Sequence, residues 1–317
     1  MFLINPYIYS SSVSTDFIMT VDTTLSGVTT DFNLRIFTTG TIPLDGVVDW
    51  GDGSTNNCTS FGATGITHSY SSGGVYTITI SGQFGGLNYN AGTPEKITDI
   101  QQWGNSNQYE LIKLTSASNM VITATDTPNT SLITSADSSF SDCTSLTTIP
   151  NFNTWDMSNV ISATRFIYMS SSSNSLTSLD MSGMNWSSCT NYGSAGTNGF
   201  TRNLANCTSF DVTNITLNSS SNISMYRMFR DIADDVVVGL DTWNIEKVNV
   251  FTGFLEGAKI TTTEYDKLLI SWAGQNAVDS LAVNFGTSQY TLGGSAASAR
   301  ADLISTDLWT ITDGGGI

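Results

Sequence analysis

Four large apolar residues, Trp155, Trp186, Leu217 and Trp243, stand 31, 31 and 26 residues apart, and the residues around them repeat. The clearest copy carries Phe140, Cys143, Leu146 and Ile149 ahead of Trp155, Asp156, Met157, Ser158, Asn159 and Val160. Degraded copies follow, with Leu176 and Leu179 before Trp186, Cys207 before Ile215, and Leu240 before Trp243 and Val248. A period of this length is the mark of supersecondary units that cannot bury their apolar faces alone and do so by stacking into one continuous core. The recurring Leu, Ile, Trp and Cys are therefore expected inside, with Asn, Cys and Thr satisfying backbone groups at the corners. Such a chain offers surface rather than chemistry.

Length and composition agree with a mainly β chain of two or three units: 317 residues, 39% hydrophobic and only 12% charged. Ser, Thr, Asn and Gly fill the gap left by charge, a balance too apolar for a disordered chain. Asp outnumbers Glu 22 to 5, which suits many turns, because Asp bonds its own backbone there. The net charge of −16 comes from 27 acidic residues against 11 basic ones. It argues against nucleic acid as a partner, and the sequence displays no basic stripe to overrule the average. No apolar run approaches the roughly 18 residues of a membrane helix, so no membrane insertion is expected. Pro6 interrupts the short apolar start and the first basic residue is Arg35, which does not read as a secretory signal. The expected routes are retention in the cytoplasm or release outside the general secretory pathway, for example with a virus particle at lysis.

The reactive residue types are few. Cys58, Cys143, Cys189 and Cys207 fit no metal-ligand spacing and read as small buried residues without a required disulfide. His68 is the only histidine, which removes most nucleophilic triads and every multi-histidine metal site. The isolated pairs Gly85-Gly86 and Gly293-Gly294 lack the context of a phosphate-binding loop. Asp45, Asp49 and Asp52 could offer oxygens to Ca²⁺, although they lack the alternate spacing and bidentate Glu of a strong calcium loop. Asp231, Asp234 and Asp235 lie close together, and glycoside hydrolysis needs two such acids; Asp at a turn is the plainer reading. No catalytic residue, cofactor or metal is expected.

Along the chain, residues 1–16 form an apolar leader with Phe2, Ile4, Tyr7 and Tyr9, read either as a first strand or as an arm that docks on a neighbouring subunit. From residue 17 to 92, alternating strands are punctuated by glycine turns. Trp50-Gly51-Asp52-Gly53-Ser54 forms a hairpin turn, and His68, Tyr70, Gly74 and Tyr76 follow in order. These two signatures resemble the PKD family of immunoglobulin-like β-sandwiches. The resemblance implies a spacer or recognition module rather than an enzyme.

Residues 93–260 hold the repeats. Phe140, Cys143, Leu146 and Ile149, with Trp155-Asp156-Met157-Ser158-Asn159-Val160, resemble the BspA-type leucine-rich repeats of microbial surface proteins. The Gly/Ser/Asn-rich stretch 187–205 departs from the pattern and is expected as an insertion looping from one face. Residues 261–317 switch to mixed structure and are expected to cap the last repeat. Thr261 and Glu264 form a capping box, Tyr265, Leu268, Leu269 and Trp272 lie on one helical face, and Ser295 caps a second helix.

The expected fold class is thus mainly β: an immunoglobulin-like sandwich, then a leucine-rich-repeat-like solenoid, then a small α/β cap. The module order resembles proteins encoded by marine phages and prophages. It implies a non-enzymatic virion surface protein, either a tail fibre or receptor-binding protein or a capsid decoration. A bacterial cell-surface adhesin and a polysaccharide depolymerase are the alternatives. Expected partners are other virion proteins and a host-surface glycan or protein, with homo-oligomerisation in keeping with fibre assembly. Recognition is expected where the period breaks, at the 187–205 insertion and at Asp231, Asp234 and Asp235, and on the aromatics outside the period, Tyr109, Tyr192 and Tyr226.

Overall fold

The computed structural model describes residues 15–25, 29–58, 65–196 and 198–317. The expected N-terminal arm lies, but for residues 15 and 16, outside the described residues. Within them the protein is mainly β, with two α-helices against twenty-two short strands. No helix there is long and apolar enough to cross a membrane.

The first eleven strands are β1 (Phe17–Asp22), β2 (Asp31–Leu34), β3 (Ile36–Phe37), β4 (Gly46–Asp49), β5 (Thr55–Cys58), β6 (Ile66–Ser69), β7 (Val75–Ser81), β8 (Gly86–Asn88), β9 (Ile97–Gln102), β10 (Leu111–Lys113) and β11 (Val121–Ile122). Strict alternation buries Phe17, Met19 and Val21 of β1 on one face, as a half-buried strand requires. A six-stranded sheet runs β11-β9-β1-β7-β4-β5. β2 pairs with β6, and β8 lies between β3 and β10. Phe17 reaches across to Phe84 (ring centroids 5.5 Å apart) and Trp103 (6.3 Å) in the shared core. The expected division after residue 92 falls inside this assembly, because β9 pairs antiparallel with β1 and β11 parallel with β9.

The β4–β5 hairpin is held by its own turn. Trp50 N–H donates to the Ser54 carbonyl (3.1 Å), and the Asp52 carboxylate accepts from the Ser54 backbone (3.0 Å) and hydroxyl (2.6 Å). His68 stacks on the buried Trp50 ring at 4.7 Å and 10°, and its Nε2 lies 2.8 Å from Asp52 Oδ2. The Tyr70 hydroxyl donates to the Trp50 carbonyl at 3.0 Å. The Ser54 hydroxyl, and after it His68, hold the Asp52 carboxyl down to about 2.

From there the chain winds in stacked coils that visit three parallel sheets in turn. One sheet is β12 (Ile167–Tyr168), β15 (Thr201–Arg202) and β18 (Phe229–Arg230); the second is β13 (Ser178–Asp180), β16 (Ser209–Asp211) and β19 (Val237–Val238); the third is β14 (Asn191–Gly193), β17 (Ile223–Met225) and β20 (Val248–Val250). All four repeat anchors are buried, Trp155, Trp186, Leu217 and Trp243 alike. Each follows a corner residue in the left-handed region: Asn151 (φ 54°), Gly183 (70°), Asn214 (57°) and Gly239 (90°). Asn and Gly tolerate that conformation best. Side chains close the corners by bonding the previous coil, as Asn151 Nδ2 does to the Thr125 carbonyl (2.7 Å) and Cys143 Sγ to that of Leu114 (3.1 Å).

The stretch 187–205 is not a single looped insertion. Most of it is built into the coil: Cys189, Tyr192, Phe200 and Leu204 are buried, and β14 and β15 lie within it. Two of its glycines, Gly193 and Gly199, reflect close backbone approach. A Cβ at Gly199 would sit 1.7 Å from the Arg227 carbonyl oxygen, and one at Gly193 2.1 Å from that of Tyr226. Ser194 and Asn198 are joined by a bridge, and Ala195 and Gly196 are exposed.

At the far end lie α1 (Thr262–Ala273), β21 (Ala282–Asn284), α2 (Ser295–Ser305) and β22 (Thr310–Thr312). Thr261 Oγ1 accepts from Glu264 N–H at 3.2 Å, and Tyr265, Leu268, Leu269 and Trp272 are buried. The reciprocal half of the capping box is not made. Glu264 instead accepts from Gly239 N–H (3.3 Å) and Lys267 (2.7 Å), tying helix to coil. Gly294, not Ser295, is the N-cap of α2.

Candidate binding face

In the β12-β15-β18 sheet, alternation turns Ile167, Thr201 and Phe229 inward and leaves Tyr168, Arg202 and Arg230 outward. Parallel register aligns the outward three, Tyr168 beside Arg202 and Arg202 beside Arg230. Arg202 lies over the Tyr168 ring, 5.3 Å from its centroid, and its Nη1 donates to the tyrosine hydroxyl. Asp231, just beyond β18 with φ 53°, places Oδ2 3.5 Å from Arg202 Nε and 3.2 Å from Arg230 Nε. Glu256 from the next coil joins Arg230 Nη2 (3.5 Å) to Arg227 Nε (3.1 Å). Arg227 in turn lies 5.0 Å above the Tyr226 ring.

These groups are half-buried, so a single pair contributes only about 0–1 kcal/mol. Connected side chains on a rigid sheet nevertheless hold one another in fixed orientations. Burial works against the charge of Arg202, but the Tyr168 hydroxyl and Asp231 outweigh it and raise its pKa. The Nε atoms of Arg202 and Arg230 are shielded from solvent, and neither makes a well-directed hydrogen bond despite the carboxylate nearby. Next to Glu256 a shallow cleft of about 250 Å³ is lined by Thr252, Gly253, Asn284 and Thr312 among others.

Of the residues expected from sequence, Tyr226 and Asp231 meet in this network. Asp235 lies 3.4 Å from Lys259, and Asp234 is exposed. Asp231 thus pairs with Arg202 and Arg230, and Asp235 with Lys259. Tyr192 and Tyr109 are corrected: both are fully buried. Tyr192 packs 5.9 Å from Trp186, and the Tyr109 hydroxyl donates to the Trp103 carbonyl at 2.6 Å. An aromatic off the Trp period can still belong to another inward column of the same core.

The sequence displays no basic stripe, and the fold gathers three arginines interleaved with two carboxylates. Arg202, Arg227 and Arg230 escape a search for charge runs because the coil, not the sequence, brings them together. The available signal was the inward–outward pairs Ile167-Tyr168, Thr201-Arg202 and Phe229-Arg230, one per coil.

Among the described residues no three His, Cys, Asp or Glu side chains gather as metal ligands. Asp45 and Asp49 serve backbone amides, of Gln83 (2.7 Å) and Gly51 (2.9 Å). The four cysteines are buried and unpaired with one another, and burial pushes the Cys58 thiol up to about 11 and that of Cys189 to about 12. Such thiols are poor nucleophiles. Comparison with protein-family models, with curated proteins and with solved structures finds no match to this chain.

Proposed function

We propose that this chain is a non-enzymatic surface component of a bacteriophage particle, a tail fibre, receptor-binding protein or capsid decoration, that adheres to the host surface. In this reading the region from residue 17, whose main sheet also takes in β9 and β11, resembles a PKD-like sandwich, followed by a BspA-type leucine-rich-repeat solenoid and the α/β cap of 261–317, an order suited to anchoring at one end and presenting repeated surface at the other. The observation that carries the adhesive part is the outward ladder of Tyr168, Arg202 and Arg230, continued by Arg227 and Tyr226. Arginine and tyrosine are the residue types that dominate binding surfaces, since both bury much area and donate directed hydrogen bonds. Ion pairs of Asp231 with arginines and of Asp235 with Lys259 support attachment over hydrolysis.

Mass spectrometry of purified particles tests the virion assignment, and a chain absent from them sinks it. Binding of the fluorescently labelled chain to intact host cells tests adhesion. Arg202→Gln with Arg230→Gln is expected to abolish most of that binding, and undiminished binding by the folded double variant would place the contact elsewhere.

A further inference from the structure

We infer that the arginine–tyrosine face binds a polysaccharide bearing carboxylate groups; this rests on the adhesive reading above and names its ligand class. Charge is the first ground. The chain as a whole is at −16, yet here three guanidiniums, Arg202, Arg227 and Arg230, surround two carboxylates, Asp231 and Glu256, an excess of one positive charge. Acidic polymers are repelled by the net-negative chain as a whole and meet a local attraction where that excess lies.

Donor geometry is the second ground. Each guanidinium offers five N–H groups in a planar fork that matches a carboxylate. The contacts described engage Nε and Nη1 of Arg202, Nε and Nη2 of Arg230, and Nε of Arg227, so N–H groups remain on each for a ligand. The acidic side chains already paired with these forks are carboxylates, and they mark the positions a ligand carboxylate would share or take over. Tyr168 and Tyr226 add flat apolar surface under the arginines, and the neighbouring cleft adds Thr252, Asn284 and Thr312 for hydroxyl groups.

Spacing is the third ground. Adjacent strands lie about 4.8 Å apart, close to the length of one pyranose residue. Arg202 and Arg230, flanked by Tyr168 on the next rung, therefore repeat a contact along the stack much as acidic sugars repeat a charge along their polymer. A polymer engaging several rungs gains by avidity over a single sugar.

The test measures binding of the full chain to alginate oligosaccharides, to dextran and to dextran sulfate of matched length. Alginate is expected to bind best, with affinity falling as salt screens the arginines. Arg202→Gln or Arg230→Gln is expected to weaken alginate binding by about tenfold, the effect of losing one charge-assisted contact. Asp231→Asn removes a competing carboxylate while keeping a residue that tolerates the left-handed φ, and it is expected to strengthen alginate binding. Weakening by Asp231→Asn, equal binding of dextran, or dextran sulfate binding as tightly as alginate overturns the inference. Host-cell adhesion without alginate binding overturns it too and leaves the proposed function standing; failure to adhere to cells removes both.

Discussion

Trp186 and Trp243 occupy equivalent places two coils apart, and both are fully buried. Only Trp243 has a partner for its indole, donating to the Val212 carbonyl at 2.8 Å, whereas the Trp186 N–H is buried without one. Replacing either by Phe opens a similar void, but only the second loses a hydrogen bond. We expect Trp243→Phe to cost about 1 kcal/mol more than Trp186→Phe, read from urea unfolding; equal costs would refute this. Gly199 is a sharper case, since the atom a Cβ would strike is the backbone carbonyl of Arg227 at 1.7 Å. Gly199→Ala should cost about 3 kcal/mol and lower Tm by roughly 4–5 °C for a chain of this size. Gly196→Ala, with no atom within 4 Å of its Cβ, should leave Tm unchanged. The repeat anchors were readable in sequence because their period is long and their residues large. Tyr192 and the glycines of 187–205 were not, because composition alone cannot separate a glycine needed for a loop from one needed where two coils touch.

The β4–β5 hairpin is an element whose sequence signature and structure coincide: the turn from Trp50 to Ser54 carries the pairing of Asp49 with Thr55. Asp52 makes it pH-sensitive. Its carboxyl is held down to about 2 from an ordinary 3.8, so the stabilisation is fully present above about 4 and is lost as pH falls through 2. Asp52→Asn keeps an acceptor for Ser54 but removes the carboxylate charge that faces His68 Nε2. Unfolding measured from pH 5 to pH 2 should show the wild type more stable at the upper end and the two proteins converging at the lower. A gap that persists at pH 2 would sink this account. Helix α1 was equally readable, through Thr261 and its apolar face, and Thr261→Ala is expected to cost about 1 kcal/mol of stability. The half of the capping box that fails does so for a tertiary reason, since Glu264 is drawn to Gly239 on the preceding coil. The outward ladder lay beyond sequence reading for the same reason, its members being neighbours only through strand register.

Aromatic rings carry the core from end to end. Trp103 meets Trp155 at 5.2 Å, Phe152 stacks on Phe166 at 5.2 Å and Phe166 on Phe200 at 5.1 Å. Farther on, Phe229 meets Phe254 (5.3 Å), and Trp272 of α1 stacks on Phe251 (5.1 Å). Removing residues 261–317 would expose Phe251 and Phe254 together with an unpaired coil edge. The truncated chain is expected to aggregate or to bind an apolar dye; a soluble monomer with unchanged near-ultraviolet dichroism would contradict this. The stacking also sets an economy of growth. A further coil consumes about 30 residues yet lengthens the molecule by only one strand spacing, about 4.8 Å. Duplication of a coil is thus a poor way to reach farther from an anchor and an effective way to add one more outward residue to the ladder. On the adhesive reading proposed above, lineages that differ in coil number should differ in grip strength far more than in span.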